Sequence, residues 1–241
     1  GKIGLSAVRV LERCGANVLI VDTMADRWSE LQHSFTVNGS VRYRNADVDD
    51  MANAKKIVAE CDDLLNGANC WINCAYPRTE DWGTGLDSVS AESWARNVDL
   101  QMNSVCLISS EVAKRMSARK GGAIVNVASI FGVVAPDFSV YENVDFTTPP
   151  AYAAIKGGLI SFTRYLAAYW GKYDVRVNVV CPGGVFADQE AAFVAAYSRR
   201  TALGRMASPE DIAGPIVFLA SEAAAYVTGA ALMVDGGWTA M

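Results

Sequence analysis

The sequence is most informative first in what it lacks. It has a single histidine, His33, and its six cysteines (14, 61, 70, 74, 106 and 181) never form a Cys-x-x-Cys pair. A zinc site needs ligands clustered more closely than this, so no metal is expected. Cysteines scattered through apolar segments are expected to be reduced thiols of a cytoplasmic protein rather than a disulfide framework, which leaves the sequon at Asn38-Gly39-Ser40 without use. No run approaches the roughly 18 apolar residues of a membrane helix, and no signal peptide is expected. Excess positive charge is also missing: the net charge is −5, which gives no reason to expect nucleic acid or an anionic membrane as partner. Internal repeats, low-complexity tracts and linkers are absent, so 241 residues are expected to form one domain.

What is present is a regular alternation. Short β-branched runs at 18–21, 41–44, 70–74, 123–128, 175–181 and 230–234 read as strands. Helical patterns separate them, near 4–14, 25–37, 50–66, 91–119, 151–171 and 208–220. Strands spaced by helices in this way indicate an α/β fold, a doubly wound parallel sheet with helices on both faces. The start departs from that plan. Gly1-Lys2-Ile3-Gly4 runs straight into a helix, where such a fold expects a first strand delivering the chain to a phosphate site. The expectation is an N-terminally truncated single domain (1–241) lacking its first strand, with two strands left partly unpaired.

The chemistry centres on Ala151-Tyr152-Ala153-Ala154-Ile155-Lys156. A phenol and an ammonium at i and i+4 share one face of a helix. A neighbouring lysine and a helix N-terminus both favour the phenolate, so the Tyr152 pKa is expected to be drawn down, fitting it for proton exchange with a hydroxyl or carbonyl. By itself the spacing also fits an ordinary solvated helix face. Asp22, closing the second expected strand of the complete fold, suits the ribose hydroxyls of NAD and repels the extra phosphate of NADP, whereas Lys2 near the glycine turn favours that phosphate.

With these residues in order, the chain resembles the short-chain dehydrogenase/reductase family from Gly1 to its C-terminus. Gly1-Lys2-Ile3-Gly4 resembles the end of that family's Thr-Gly-x-x-x-Gly-x-Gly turn, with Gly4 in the last glycine slot and Lys2 where the middle glycine is usual. Asp47-Val48 resembles the Asp-Val pair that meets adenine. Asn73-Cys74-Ala75-Tyr76 stands at the Asn-Asn-Ala-Gly motif, matching at Asn73 and Ala75 but not at Cys74 and Tyr76. Ser129 matches the catalytic serine, and Tyr152 and Lys156 match the tyrosine and lysine. Pro182-Gly183-Gly184-Val185 resembles the Pro-Gly segment that fixes the nicotinamide carboxamide, and Asp235-Gly236-Gly237 the usual ending.

The resemblance implies a Rossmann fold and hydride transfer between a nicotinamide cofactor, NAD before NADP, and a secondary alcohol or ketone. It implies Ser129, Tyr152 and Lys156 as catalytic residues. It implies Ile3, Asp22, Asp47, Val48, Asn73, Ala75, Tyr152, Lys156, Pro182, Gly183 and Val185 as cofactor contacts. The family's fourth catalytic residue, an asparagine, aligns with Gln101, so its water relay is either kept by a longer amide or altered. The stretch 136–150 is longer than usual and, with 76–83 and 186–203, is expected to cover the substrate. Its carboxylates and aromatic rings suit a polyhydroxylated molecule, with Arg78 available to an anionic group. The segments around Tyr76 to Gly83 and Tyr141 to Lys156 look like a bacterial surface-glycan and flagellin-glycan subgroup, implying a sugar or sugar nucleotide. The alternatives are a reductase of small carbonyl or acyl substrates and a dinucleotide-binding protein with impaired catalysis. Family members are usually dimers or tetramers, so a homo-oligomer is expected through 91–119 and 151–171.

Overall fold

The computed structural model describes residues 1–35, 40–119 and 121–241. Its elements run α1 (Lys2–Arg13), β1 (Val18–Asp22), α2 (Ala25–Leu31), β2 (Val41–Asn45), α3 (Ala54–Leu65), β3 (Cys70–Asn73), α4 (Ala91–Val98), α5 (Ser104–Ala118), β4 (Gly122–Val127), α6 (Pro150–Trp170), β5 (Val175–Pro182), α7 (Ala191–Ser198), α8 (Pro209–Ala220) and β6 (Ala231–Val234). Among the described residues every strand pairing is parallel, in two sheets ordered β1-β2 and β3-β4-β5-β6. Among the described residues β1 and β3 each have one strand partner.

Side chains alternating along buried strands fill two layers. On β4, Ile124 packs with α3, α5 and α6 residues (Val58, Ile108, Val112, Leu166), while the next residue, Val125, packs with α1 and α8 (Ala7, Ile212, Ile216). On β5, Val175 and Val177 face the first layer and Val180 the second. The near-continuous apolar runs follow from this double burial, as in other parallel sheets. Helix starts are chemically marked. Pro150 occupies the first turn of α6, and Ser208 and Asp211 form a reciprocal capping box on α8.

Four boundaries differ from the sequence reading. The helix expected over 25–37 ends at Leu31 and passes into a 3-10 turn over Gln32–Ser34, with 36 and 37 outside the described residues; so do Asn38 and Gly39 of the sequon. The helix expected from 50 starts at Ala54, because the Asp50 carboxylate captures the Asn53 backbone and amide in a turn. The single helix expected over 91–119 is broken by a π-helical turn, Asp99–Asn103, between α4 and α5. Helix α7, inside 186–203, has little amphipathic pattern and was not anticipated. The six thiols are unpaired. Among the described residues no helix is long and apolar enough to cross a membrane, and no cluster of three metal-ligating side chains occurs.

Candidate active site

Parallel strands end on one side, and the segments singled out from the sequence follow those carboxyl ends, where α/β sheets hold their ligands. Ser129, Tyr152 and Lys156 meet there. Ser129 lies two residues past β4 and is buried. Its hydroxyl accepts a hydrogen bond from the Phe131 N–H at 3.2 Å and also hydrogen-bonds the Tyr152 phenol. A 3-10 turn over Ile130–Gly132 carries the chain against α6. A Cβ on Gly132 would lie 2.6 Å from the Lys156 carbonyl carbon and 2.8 Å from the Gly157 nitrogen. Glycine at 132 is therefore what lets the serine turn approach the tyrosine-lysine face of the helix this closely.

Lys156 is 5% exposed, and its ammonium donates to the Val127 carbonyl at 3.2 Å, lying 5.5 Å from the centre of the Tyr152 ring. Burial draws its pKa down to about 8. Burial also raises the Tyr152 phenol, outweighing the Ser129 hydrogen bond that works the other way. The expected lowering of that phenol by Lys156 is thus corrected: desolvation dominates, and Tyr152 is protonated at neutral pH.

The remaining positions fall into two groups. Ile3 and Gly4 lie in the first turn of α1, whose N–H groups have no intrahelical partner and suit a phosphate. A Cβ on Gly4 would touch that of Cys74 at 3.4 Å, so this helix start abuts the end of β3. The Asp22 carboxylate closes β1, with one oxygen accepting from the Met24 N–H at 3.0 Å. Asp47, beside Val48, caps the Asp49 N–H at 2.9 Å. Pro182 ends β5, Gly183 donates to the Val234 carbonyl at 3.0 Å, and Val185 bridges to Ala207. Lys2 pairs with Asp188 at 3.0 Å, so the cation near the glycine turn already has an anionic partner.

Asn73 belongs to the second group. Its amide donates to Ser109 and Asn126 and accepts from Trp71, while Asn126 reaches Thr163. This network ties β3 to β4, α5 and α6, so the Asn73 side chain points into the core and Ala75 continues the loop beyond it. The donor set on the strand ends (helix N–H groups, a ribose-matching carboxylate, a buried ammonium) fits a dinucleotide chemically.

Gln101 sits in the π-helical turn, 2% exposed, and neither its amide nitrogen nor its oxygen has a hydrogen-bond partner among the described residues. Asn97 and Asn103 do point elsewhere, to Thr79 and to Asp99. Above Tyr152, Tyr76 and Trp82 pack edge-on against its ring, at 5.9 and 6.1 Å, and Trp82 donates to the Tyr76 hydroxyl at 2.9 Å. The long stretch after Ser129 contributes Phe138, Tyr141, Glu142, Asp145 and Phe146, which with Gly83 line an open cleft of about 360 Å³. Tyr141 and Tyr152 belong to one packed cluster, so this cleft adjoins the Tyr152 ring. The Val127 carbonyl, Cys74 and Cys181 around Lys156 carry no sequence signal, being brought in by tertiary packing alone.

A family model described as enoyl-(acyl carrier protein) reductase matches residues 2–239. The chain belongs to the short-chain dehydrogenase/reductase family. It is 34% identical over 169 residues to post-translational flagellin modification protein A of Campylobacter coli, covering 70% of this chain and 66% of that protein. It thus spans slightly under two thirds of that relative's length. To L-rhamnose 1-dehydrogenase (NAD(P)(+)) of Azotobacter vinelandii it is 30% identical, over 98% of this chain and 91% of the relative. A crystal structure of a short chain dehydrogenase from Leptospira borgpetersenii, with bound NAD+, superimposes with a TM-score of 0.86 at 31% identity, over 99% of this chain and 89% of that one.

Proposed function

We propose that this chain is an NAD(P)-dependent oxidoreductase acting on a secondary alcohol or ketone. The observation that carries the reading is the meeting of the Ser129 and Tyr152 hydroxyls, with the Lys156 ammonium against the same phenol ring. A bound nicotinamide would supply the hydride chemistry at the substrate's carbinol carbon. Tyr152 carries the accompanying proton to or from the substrate oxygen. Ser129 donates a hydrogen bond to that oxygen as charge develops on it. Lys156 supplies a positive charge beside the phenol and a donor toward the cofactor ribose. Gln101 is the group proposed to hold the water linking Lys156 to solvent, its unpartnered amide supporting that role.

NAD is the proposed cofactor, on the strength of the Asp22 carboxylate at the end of β1. The proposed substrate is a sugar or sugar nucleotide: the rings and carboxylates of the adjoining cleft suit hydroxyl groups and a C–H face, and one relative is named as a dehydrogenase of L-rhamnose. A homo-oligomer is proposed through α5 and α6. There Tyr165 and Tyr169 are 62% and 56% exposed and belong to a row of ring contacts from Phe162 to Tyr173, stacked as far as Tyr169 and edge-on or tilted beyond it.

The test is a thermal shift with NADH and NADPH, followed by NAD+ turnover on a panel of sugars, cyclic polyols and simple secondary alcohols. A larger shift with NADH and turnover of a sugar support the reading. Stabilisation by neither cofactor would overturn it. Stabilisation without turnover would favour a binding protein with impaired catalysis, the reading that the exchange at Gln101 supports.

A further inference from the structure

We infer that Tyr76 is a positioning residue whose ring face carries the Lys156 ammonium. An ammonium offers three donors, and Lys156 is buried with one acceptor, the Val127 carbonyl. None of the ion pairs among the described residues includes it. The titratable groups facing it are Cys74 after β3 and Cys181 on β5, and burial pushes both thiols up to about 11, so both are neutral near pH 8. What faces the charge besides the carbonyl is aromatic: the Tyr76 ring centre at 5.3 Å and the Tyr152 ring centre at 5.5 Å. Both distances lie within cation–π range, and the interaction strengthens when the cation is desolvated.

Of the two rings, Tyr152 is the acid/base, which leaves Tyr76 as the one that can be altered separately. It occupies the motif position where the family usually has glycine, so this support belongs to a particular sequence rather than to the fold. Trp82 anchors it, donating its indole N–H to the Tyr76 hydroxyl. The Arg78 guanidinium lies 5.2 Å from the same ring, so the ring is shared between two cations. Without Tyr76, Lys156 would keep its desolvation and lose part of what offsets it, so its charged form would be less favoured. Its importance for turnover rests on the proposed oxidoreductase reading; its effect on Lys156 does not.

The experiment follows the Lys156 side-chain amine by NMR on lysine-labelled protein as a function of pH, its signal assigned by loss in Lys156→Met. In the wild type the midpoint is expected at about 8. Tyr76→Phe keeps the ring face and should titrate with the wild type. Tyr76→Leu should titrate lower, by about one pH unit. Tyr76 is 42% exposed in a loop, so such variants are expected to fold, and Tyr76→Val gives a second ring-free case without a new acceptor. Ring-free variants that titrate with the wild type would overturn the inference, as would a Phe variant displaced as far as Leu. Because the readout needs no substrate, its failure is distinct from absence of turnover. If turnover is found, the alkaline limb of its pH profile should move down in the Leu and Val variants alone.

Discussion

Gly132→Ala probes the architecture that brings the serine to the tyrosine. The new methyl would stand 2.6 Å from the Lys156 carbonyl carbon, 2.8 Å from the Gly157 nitrogen and 2.8 Å from the Ile160 Cδ1. Two of these are backbone atoms of a 21-residue helix and cannot swing aside. Relief needs a movement of the turn away from α6 of about 0.4 Å to reach the tight limit of 3.0 Å, and of about 0.8 Å to reach ordinary contact at 3.4 Å. Overpacking of this kind costs about 1–3 kcal/mol, or a Tm loss of about 2–4 °C per kcal/mol in a domain of this size. The same movement pulls Ser129 from Tyr152, and a misplacement near 1 Å costs up to about 100-fold in rate. Gly171→Ala at the end of α6 is the control: its backbone is already right-handed helical, nothing lies within 4 Å of its would-be Cβ, and alanine should stabilise the protein by about 0.4–1 kcal/mol. Thermal unfolding by circular dichroism, with turnover on the substrate identified, reads both. A Gly132→Ala protein with unchanged Tm and undiminished turnover would refute the reasoning.

Two further outcomes concern charge. Asp22→Ala removes a carboxylate from the ribose end of the proposed cofactor site; repulsion of a phosphate at about 4 Å costs about 1–4 kcal/mol. NADPH affinity, read by nicotinamide fluorescence, should therefore rise at least about fivefold, and unchanged selectivity would place the selector elsewhere. Asp49 is lifted from 3.8 to about 6, by burial first and by Asp47 second. A folded pKa above the unfolded one means that stability from this group is complete below about 4 and is lost as pH rises through about 6. The Tm of the wild type relative to Asp49→Asn should fall across that window; a flat difference would show that Asp49 titrates normally.

Much of the strand and helix order was legible because β-branched runs and amphipathic runs differ in period, and double burial makes the former nearly continuous. Ser129, Tyr152 and Lys156 were legible as residue types at fixed offsets from strand ends and a helix start. The ionisation of Tyr152 was not, since a local argument from Lys156 omits the desolvation that only packing creates. The π-helical turn at Gln101 also left no trace, as the apolar period of 91–119 continues through it. Asn73 matched a motif, yet its amide serves the core through partners as distant in sequence as Asn126. Tyr76 stood out as a departure from a motif, but its place over Lys156 comes from folding two distant segments together.

The central claim, that Tyr152 moves the substrate proton beside a bound nicotinamide, is tested most directly by Tyr152→Phe. Both proteins are compared for stabilisation by NADH and for turnover, followed by nicotinamide absorbance. The account predicts that Tyr152→Phe is stabilised by NADH as well as the wild type is, while its turnover falls by about 100-fold or more. A variant that kept wild-type turnover would contradict it.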